Sequence, residues 1–556
     1  MTQFHAGAAR HRLQDPDSRS EMLGWGSPKG RCRTVHTPLE VRALVLVDAS
    51  SQRTIALVVH ELCMVSHAVR LKVLADIQAL RPEGHWSEDT LLIGANHTHA
   101  GPGGYTHDLF YTLTNPGFEP VLFQALVDTT VRALADAWDA RAPATVTFGQ
   151  ARFSDTDPVV RNRAPRAFAN NRTGMPELER DKSLLKVVFT DGTPAACVDF
   201  FGVHGTCVHH DAAAVHPDNK GMAARALEDH AAARWGAPGF VALFFQGAAG
   251  DVSPNTRMDR DRGLMVGHLA DDFAHADWHG RVQAHVARAA WDTADQVLSG
   301  PLDGALLYLD FSGLPVDADL ADGRARRTAH GLVGLPFIQG TAEGPGPLRP
   351  FRGMTRWLST AHQALRPIAG QGGKLPFCEV GRGRHGRAFG FLRMSPPAVP
   401  GLDPVVTVVS RLTDNGGMGD APWIANRQPV QLLRIGPLAI ITVSGEPTTH
   451  AGRLLAHTTR RALLGTGIEH VVVCGYANAF SGYITTAPEY AVQGYEGGHT
   501  LYGPWTLAGW RTGARRLARR LHAPIEDRPT DRGQRPVPTP DEVLAQRRFP
   551  VLPVPP

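Results

Sequence analysis

Two histidines separated by one residue open the chemistry of this chain, in Asn96-His97-Thr98-His99-Ala100-Gly101-Pro102-Gly103-Gly104. Side chains at i and i+2 of an extended segment share a face. His97 and His99 can therefore reach one site, and imidazole suits zinc. The Gly-Pro-Gly-Gly that follows permits close backbone approach. A further histidine, His204, follows an apolar run in Phe200-Phe201-Gly202-Val203-His204, with His209 and His210 as competing candidates. Glu446, in Ser444-Gly445-Glu446-Pro447-Thr448-Thr449, offers a carboxylate. Its place ahead of a helical pattern would equally suit the positive end of a helix dipole. Two histidines and one carboxylate form a known catalytic zinc set that leaves a position for water.

Ser253, in Gly250-Asp251-Val252-Ser253-Pro254-Asn255, follows a strand and a glycine-rich turn, without a Gly-x-Ser-x-Gly elbow. Spacing alone favours a helix N-cap there, with Pro254 at the first helical position. Tyr483, with Tyr490, Tyr495 and Tyr502 downstream, reads as a pocket wall or as ordinary aromatic packing, and spacing alone favours packing.

The elements that would position these residues alternate in period. Val41–Val47 and Thr54–Val59 read as adjacent strands, Val69–Leu80 and Val121–Trp138 as helices, and Thr90–Ile93 as a short strand running into the histidine pair. Cys197–Val203 and Phe240–Phe245 are strands, with a helical Met222–Trp235 between them. Val282–Leu298 reads as helical. Leu438–Val443, a helix from Thr448 to Leu464 and a strand His470–Cys474 complete the series. The alternation predicts an α/β fold with helices packed on a sheet. Sites in such sheets form beyond the carboxyl ends of strands, where each of the first four motifs falls.

With 556 residues the chain is too long for one core. It divides into residues 1–312, the first part of an α/β catalytic domain; 313–404, a Gly/Pro-rich insertion, lid or subdomain; 405–526, the rest of the catalytic domain; and a Pro-rich tail, 527–556, read as an extended arm. The 57 basic and 53 acidic residues give a net charge of +4, which calls for no nucleic-acid partner. The six cysteines form no CxxC pair and read as free thiols. No apolar run is long enough to span a bilayer. The first residues show no secretory pattern, so a cytoplasmic setting is expected.

Taken together and in order, the motifs resemble the neutral, non-lysosomal ceramidase family. The matching stretches are His97 to Tyr105, Asn162-Arg163-Ala164-Pro165, Asp218-Asn219-Lys220-Gly221, Gly250 to Asn255, Gly445 to Thr449, and Tyr483 through Tyr495 to Pro504, spanning about residues 20–510. The resemblance implies a zinc amidohydrolase acting on a linear N-acyl amide. It places one Zn2+ on His97, His204, Glu446 and Tyr483, the active-site serine on Ser253, a catalytic histidine on His99, and substrate contacts on Arg163 and Tyr495. It thus reverses the spacing-only readings of Ser253 and Tyr483. The implied substrate is ceramide or a related N-acyl lipid, whose chemistry would bring the chain to a membrane surface. The expected departures are the lack of a visible leader and of room for the family's C-terminal β-sandwich; the sequence also carries a proline after Glu446, and Cys207-Val208-His209-His210-Asp211 after the second histidine. They leave two other readings open: a biosynthetic acyltransferase or amidase on a non-sphingolipid amide, and a zinc-binding protein without turnover.

Overall fold

The computed structural model describes residues 4–14, 20–26, 30–113, 117–157, 159–346, 368–388, 392–393, 404–529 and 531–548, with scattered positions between 353 and 364. The remainder of the 313–404 segment, and tail residues 549–556, lie outside the described residues.

Apolar runs buried on both faces build the first sheet. Its principal strands are β1 (Phe4–Arg12), β2 (Glu40–Asp48), β3 (Thr54–His60), β4 (Leu91–Ala95), β5 (Ala142–Arg152), β6 (Asp181–Phe189), β7 (Pro194–Phe201) and β8 (Val241–Gln246). They lie in the order β8-β7-β6-β5-β1-β2-β3-β4, with Gln296–Val297 as a ninth strand beside β5. Strand β2 shows why the run is continuous. Val41, Ala43, Val45 and Val47 pack with residues of α1 (His67–Leu80) and α2 (Pro120–Asp139). The alternate residues Leu44 and Leu46 pack against a second sheet. Helices α3 (Asp218–Arg234) and α4 (Asp272–Asp292) cover the β6–β8 end of the same outer face.

The second sheet holds β9 (Leu302–Asp310), β10 (Arg427–Ile435), β11 (Leu438–Thr442) and β12 (His470–Cys474), in that order. Leu433, Ile435, Leu438 and Ile440 face the first sheet. Ala439 and Ile441 face α5 (Thr449–Ala462) and α6 (Thr506–His522). The result is four layers: helices, sheet, sheet, helices. The two sheets also join edge to edge: Gly94 bridges Ala477, and Ala95 N donates to Tyr476 O at 3.1 Å. A Cβ at Gly94 would stand 2.6 Å from the Phe245 ring of β8, so the close packing of β4 against β8 depends on that glycine.

Most strand pairs are antiparallel. The pairs β3–β4, β7–β8 and β11–β12 run parallel, and chemistry-bearing loops leave the carboxyl ends of β4, β7, β8, β11 and β12. The helix expected over Val282–Leu298 is displaced. Helix α4 begins at Asp272, capped by Asp271 accepting from Ala274 N at 2.7 Å, and ends at Asp292. Its first turns carry His275 and His279 inward where an apolar pattern would be sought, which hid them from a periodicity reading. The tail is no free arm over 531–548. Arg532 pairs with Asp89, and Arg547 is buried, donating to His107 O at 2.8 Å. Within the insertion, Leu332–Gly334 and Pro376–Glu379 pair in a small sheet. No described helix is long and apolar enough to cross a membrane. All six cysteines are buried thiols outside any disulfide.

Candidate metal centre and active site

Short ladders bring distant strand ends to one point. His97 N donates to Leu62 O, and His99 N donates to Gly205 O at 2.9 Å, which sets the histidine pair beside the loop of His204. His204 N donates to Val252 O at 3.0 Å, which seats that loop on the Ser253 segment. Val252–Ser253 pairs antiparallel with Arg161–Asn162, and Arg163 N donates to Asp251 O at 2.8 Å. Glu446–Pro447 pairs parallel with Tyr483–Ile484, placing Glu446 opposite Tyr483.

The side chains converge accordingly. His97 Nδ1 lies 2.6 Å from Cys63 O, and His204 Nδ1 lies 2.7 Å from Ala249 O. A carbonyl only accepts, so both Nδ1 atoms carry the proton and both Nε2 atoms offer lone pairs. Those Nε2 atoms stand 3.5 and 3.2 Å from Glu446 Oε2. The Tyr483 hydroxyl is 3.2 Å from His204 Nε2. His99 Nε2 is 3.1 Å from His97 Nε2, while its Nδ1 is buried without a hydrogen-bond partner. Burial pushes His97 down to about 4 and His204 down to about 3, and pushes His99 well below its ordinary value. All three imidazoles are therefore neutral at neutral pH, the state a metal ligand requires.

This donor set suits a zinc ion: two neutral imidazole nitrogens, a carboxylate oxygen and a phenol oxygen, with each histidine oriented by a backbone carbonyl. A second grouping of donors, Cys63 with His97 and His99, fits poorly. Burial pushes the Cys63 thiol well up, and its sulfur faces His97 Nδ1, already committed to a carbonyl.

Two of the residues here hold left-handed backbone, His97 at φ 67° and Tyr476 at φ 54°. Such strain in non-glycine residues concentrates at functional sites. Arg163 closes the other side. It donates to Glu496 Oε1 at 3.0 Å, to Gly250 O at 3.0 Å and to the Tyr483 hydroxyl. Its guanidinium also lies 5.4 Å from the Tyr495 ring centre. Burial works against the charge of Arg163, yet Tyr483 and Glu496 hold it above its ordinary value.

The sequence profile described as neutral/alkaline non-lysosomal ceramidase, N-terminal, matches residues 4–369 and 410–512. The chain belongs to this ceramidase family. It is 31% identical to the neutral ceramidase of Pseudomonas aeruginosa over 88% of this chain and 68% of that protein. It is 32% identical to the neutral ceramidase of Mycobacterium tuberculosis over 93% of this chain and 76% of that protein. A solved structure titled a ceramidase complexed with C2 superposes with a TM-score of 0.81, at 29% identity, covering 98% of this chain and 78% of the other.

Within this ceramidase-family chain the sequence-derived positions His97, His99, His204, Glu446, Tyr483, Arg163 and Tyr495 come together. Ser253 joins them on its short strand, not as a helix cap: no helix follows Pro254, and the Ser253 hydroxyl accepts from Asn255 N at 3.0 Å. Glu446 is not the cap of α5 either, since Thr448 takes that place, accepting from Ala451 N. His209 and His210 stay outside. His209 pairs with Asp272 at 3.0 Å, and the His209 and His210 rings both lean on Trp25, whose ring also meets His99 edge-on. Tyr490 and Tyr502 are structural, bonding to Gln371 and to Ala425 O. Two site residues were missed in the sequence. Tyr476, whose hydroxyl donates to Glu446 Oε2 at 3.0 Å, follows β12 and could have been found by the strand-end rule. Glu343 comes from the insertion, where periodicity gives no signal.

Proposed function

We propose that this chain hydrolyses the amide bond of ceramide or a closely related N-acyl lipid, releasing a fatty acid and an amine. One zinc ion would be held by His97, His204, Glu446 and Tyr483. The observation that carries this reading is the convergence of two neutral imidazole Nε2 atoms on Glu446 Oε2, with the Tyr483 hydroxyl alongside. Zinc, when bound there, would polarise the amide carbonyl and make water a nucleophile at neutral pH. The protein's own groups supply the rest. Arg163 fixes the Tyr483 hydroxyl, and His99 and Tyr495 line the space where the carbonyl oxygen gains charge. As a neutral imidazole, His99 is suited to take a proton from the attacking water and hand that proton to the departing amine.

Burial of these side chains excludes water from the reacting bond, which strengthens each of those interactions. The test is metal analysis of the purified chain combined with hydrolysis assays on N-acyl amides of differing chain length. About one zinc per chain and chelator-sensitive release of fatty acid are expected. Zinc without turnover on any amide would sink the proposal in favour of a metal-binding protein. The alternative reading, an amidase or acyltransferase on a non-sphingolipid amide, draws on the Trp25–His209–His210 stack beside His99. It would be preferred if other amides were cleaved and ceramides were not.

A further inference from the structure

His97 and His204 are each turned by a backbone carbonyl on Nδ1. His99 has no such guide, since its buried Nδ1 meets no hydrogen-bond partner among the described residues. What holds its ring is packing. Leu23 N donates to Gly101 O at 2.9 Å, and Met22 bridges Pro102, which lays the Gly24-Trp25 segment along the histidine pair. A Cβ at Gly24 would stand 2.6 Å from His99 Nδ1, so the Gly24 backbone lies directly against the ring. The Trp25 indole meets the same ring edge-on, with centroids 5.2 Å apart and planes 77° apart. Perpendicular contacts of this kind are favoured between aromatic rings.

Trp25 is held in turn. Its indole stacks on His209, with centroids 5.6 Å apart and planes 23° apart, and tilts against His210. A Cβ at Gly344 would stand 2.9 Å from Trp25 Cε3, so the insertion loop closes a further side. His209 is fixed by its own bonds. Asp272 Oδ2 takes both its backbone N–H, at 2.9 Å, and its Nδ1, at 3.0 Å, while its Nε2 lies 3.1 Å from Met265 O. Arg262 donates to Asp272 Oδ1 at 3.1 Å, so this carboxyl faces donors only and is ionised. A carboxylate and a carbonyl only accept, so both ring nitrogens of His209 carry protons, and the buried ring is an imidazolium. Burial works against that charge, yet Asp272 holds His209 above its ordinary value. A cation within about 6 Å of a tryptophan ring centre is attracted to its face, most strongly when desolvated.

We propose that Trp25 is the positioning residue for His99: clamped by His209 and the insertion loop, it fixes the plane of an imidazole that no carbonyl orients, and so keeps the proton carrier aligned with the reacting bond. The inference rests on the amide-hydrolysis reading above. It gives His209, which lies outside the ligand set, a task as the backstop of the clamp. It also ties the N-terminal segment and the insertion to the chemistry. The ring contacts of Trp25 are with His99, His209 and His210 and with no proposed zinc ligand, so losing them should cost turnover and spare the metal.

The experiment is a double-mutant cycle on the full-length, zinc-loaded chain with an N-acyl amide that the wild type cleaves. Trp25→Leu fills part of the space but presents no ring to His99. It is expected to lower kcat at least about tenfold, with KM within about threefold and zinc content unchanged. Trp25→Phe, which restores a ring, should recover most of the loss. In a His99→Ala background Trp25→Leu should cost less than about twofold, because its target is gone. His209→Gln keeps a donor for Asp272 but removes the ring behind Trp25, and should lower kcat at least about fivefold through the same coupling to His99. Multiplying effects of Trp25→Leu and His99→Ala would overturn the inference, as would a Trp25→Leu enzyme with wild-type kcat or a loss carried by KM alone. If Trp25→Leu does not fold or bind zinc, the cycle is read with His209→Gln, and loss of fold or metal in both overturns the inference in favour of a scaffold role. A wild type inactive on all amides sinks the functional proposal itself, whereas an active wild type with multiplying effects sinks only the role of Trp25.

Discussion

The Tyr476 hydroxyl donates to Glu446 Oε2 across 3.0 Å while its ring lies 4.3 Å from that of His97, so one side chain supports two of the proposed ligands. Groups that orient metal ligands typically matter 10–100-fold in affinity. Tyr476→Phe, which keeps the ring, is therefore expected to weaken zinc binding by about that factor. Competition against a chelator of known affinity measures it, and an unchanged zinc affinity would show that Glu446 needs no such support. Cys63 provides the opposite case. It serves His97 through its backbone carbonyl, while burial keeps its thiol protonated. Cys63→Ser is expected to leave zinc content at the wild-type level. Loss of zinc in that variant would move the metal to the Cys63–His97–His99 grouping. The sequence pointed to His97, His204 and Glu446 as donors because imidazole and carboxylate at strand ends are chemically distinctive. A tyrosine after a strand is not, and Tyr476 escaped notice although its position obeys the same rule.

The first turn of α3 carries Lys220, whose Nζ is buried without a hydrogen-bond partner, 5.6 Å from the Phe201 ring centre. Beneath it Lys182 and Asp199 form a fully buried pair at 2.7 Å, so Asp199 has already spent its charge on another lysine. Burial, then Lys182, push Lys220 down to about 7. A lysine whose folded value lies below its unfolded one, near 10.4, opposes folding in its charged form. The penalty is complete below pH 7 and is relieved as pH rises from 7 towards 10. Lys220→Met, of similar volume, is expected to raise stability by about 1–4 kcal/mol at pH 7, and by less at pH 9. Denaturant melts at the two pH values test this, and a destabilised variant at pH 7 would show that the ammonium has a partner in solution. At the same scale, most strands and helices were legible because their burial has a clear period. Helix α4 was not, since its inward face begins with His275 and His279. The strand pairing was also hidden. Residues such as Gly94 and Ala477 meet across almost the whole catalytic domain, and no local pattern encodes that distance.

At the scale of the whole molecule, the four layers bury many histidines outside the proposed ligand set, and their protonation sets how the fold responds to acid. His60, His216, His279 and His499 are pushed by burial to about 3, and His275 to about 4. Two of them use a ring lone pair in the fold. His216 Nδ1 accepts from Asp218 N at 3.0 Å at the start of α3, and His279 Nδ1 accepts from Gln283 Nε2 at 3.0 Å while its Nε2 donates to Val159 O. Protonation would break both acceptor bonds. Each histidine titrates near 6.5 when unfolded, so between about pH 6.5 and 3 the unfolded chain binds more protons than the folded one. The stability these groups supply is complete above pH 6.5 and is lost as pH falls through that window. Asp251 and Asp108 work the other way. Burial raises them to about 7 and about 6, so each binds its proton more readily in the folded state and offsets part of the loss. His67 and His107 are likewise pushed down by burial, to about 3 and about 4, and Asp199, Asp218 and Glu496 are likewise raised by it, so the imidazoles still outnumber the carboxyls and leave a net acid lability. Melting temperature, measured with chelator present throughout so that metal release does not contribute, is expected to fall by on the order of 10 °C between pH 7 and pH 5. A melting temperature that held or rose over that range would mean that the buried carboxyls outweigh the histidines, and that the buried imidazoles are more solvated than their surroundings indicate.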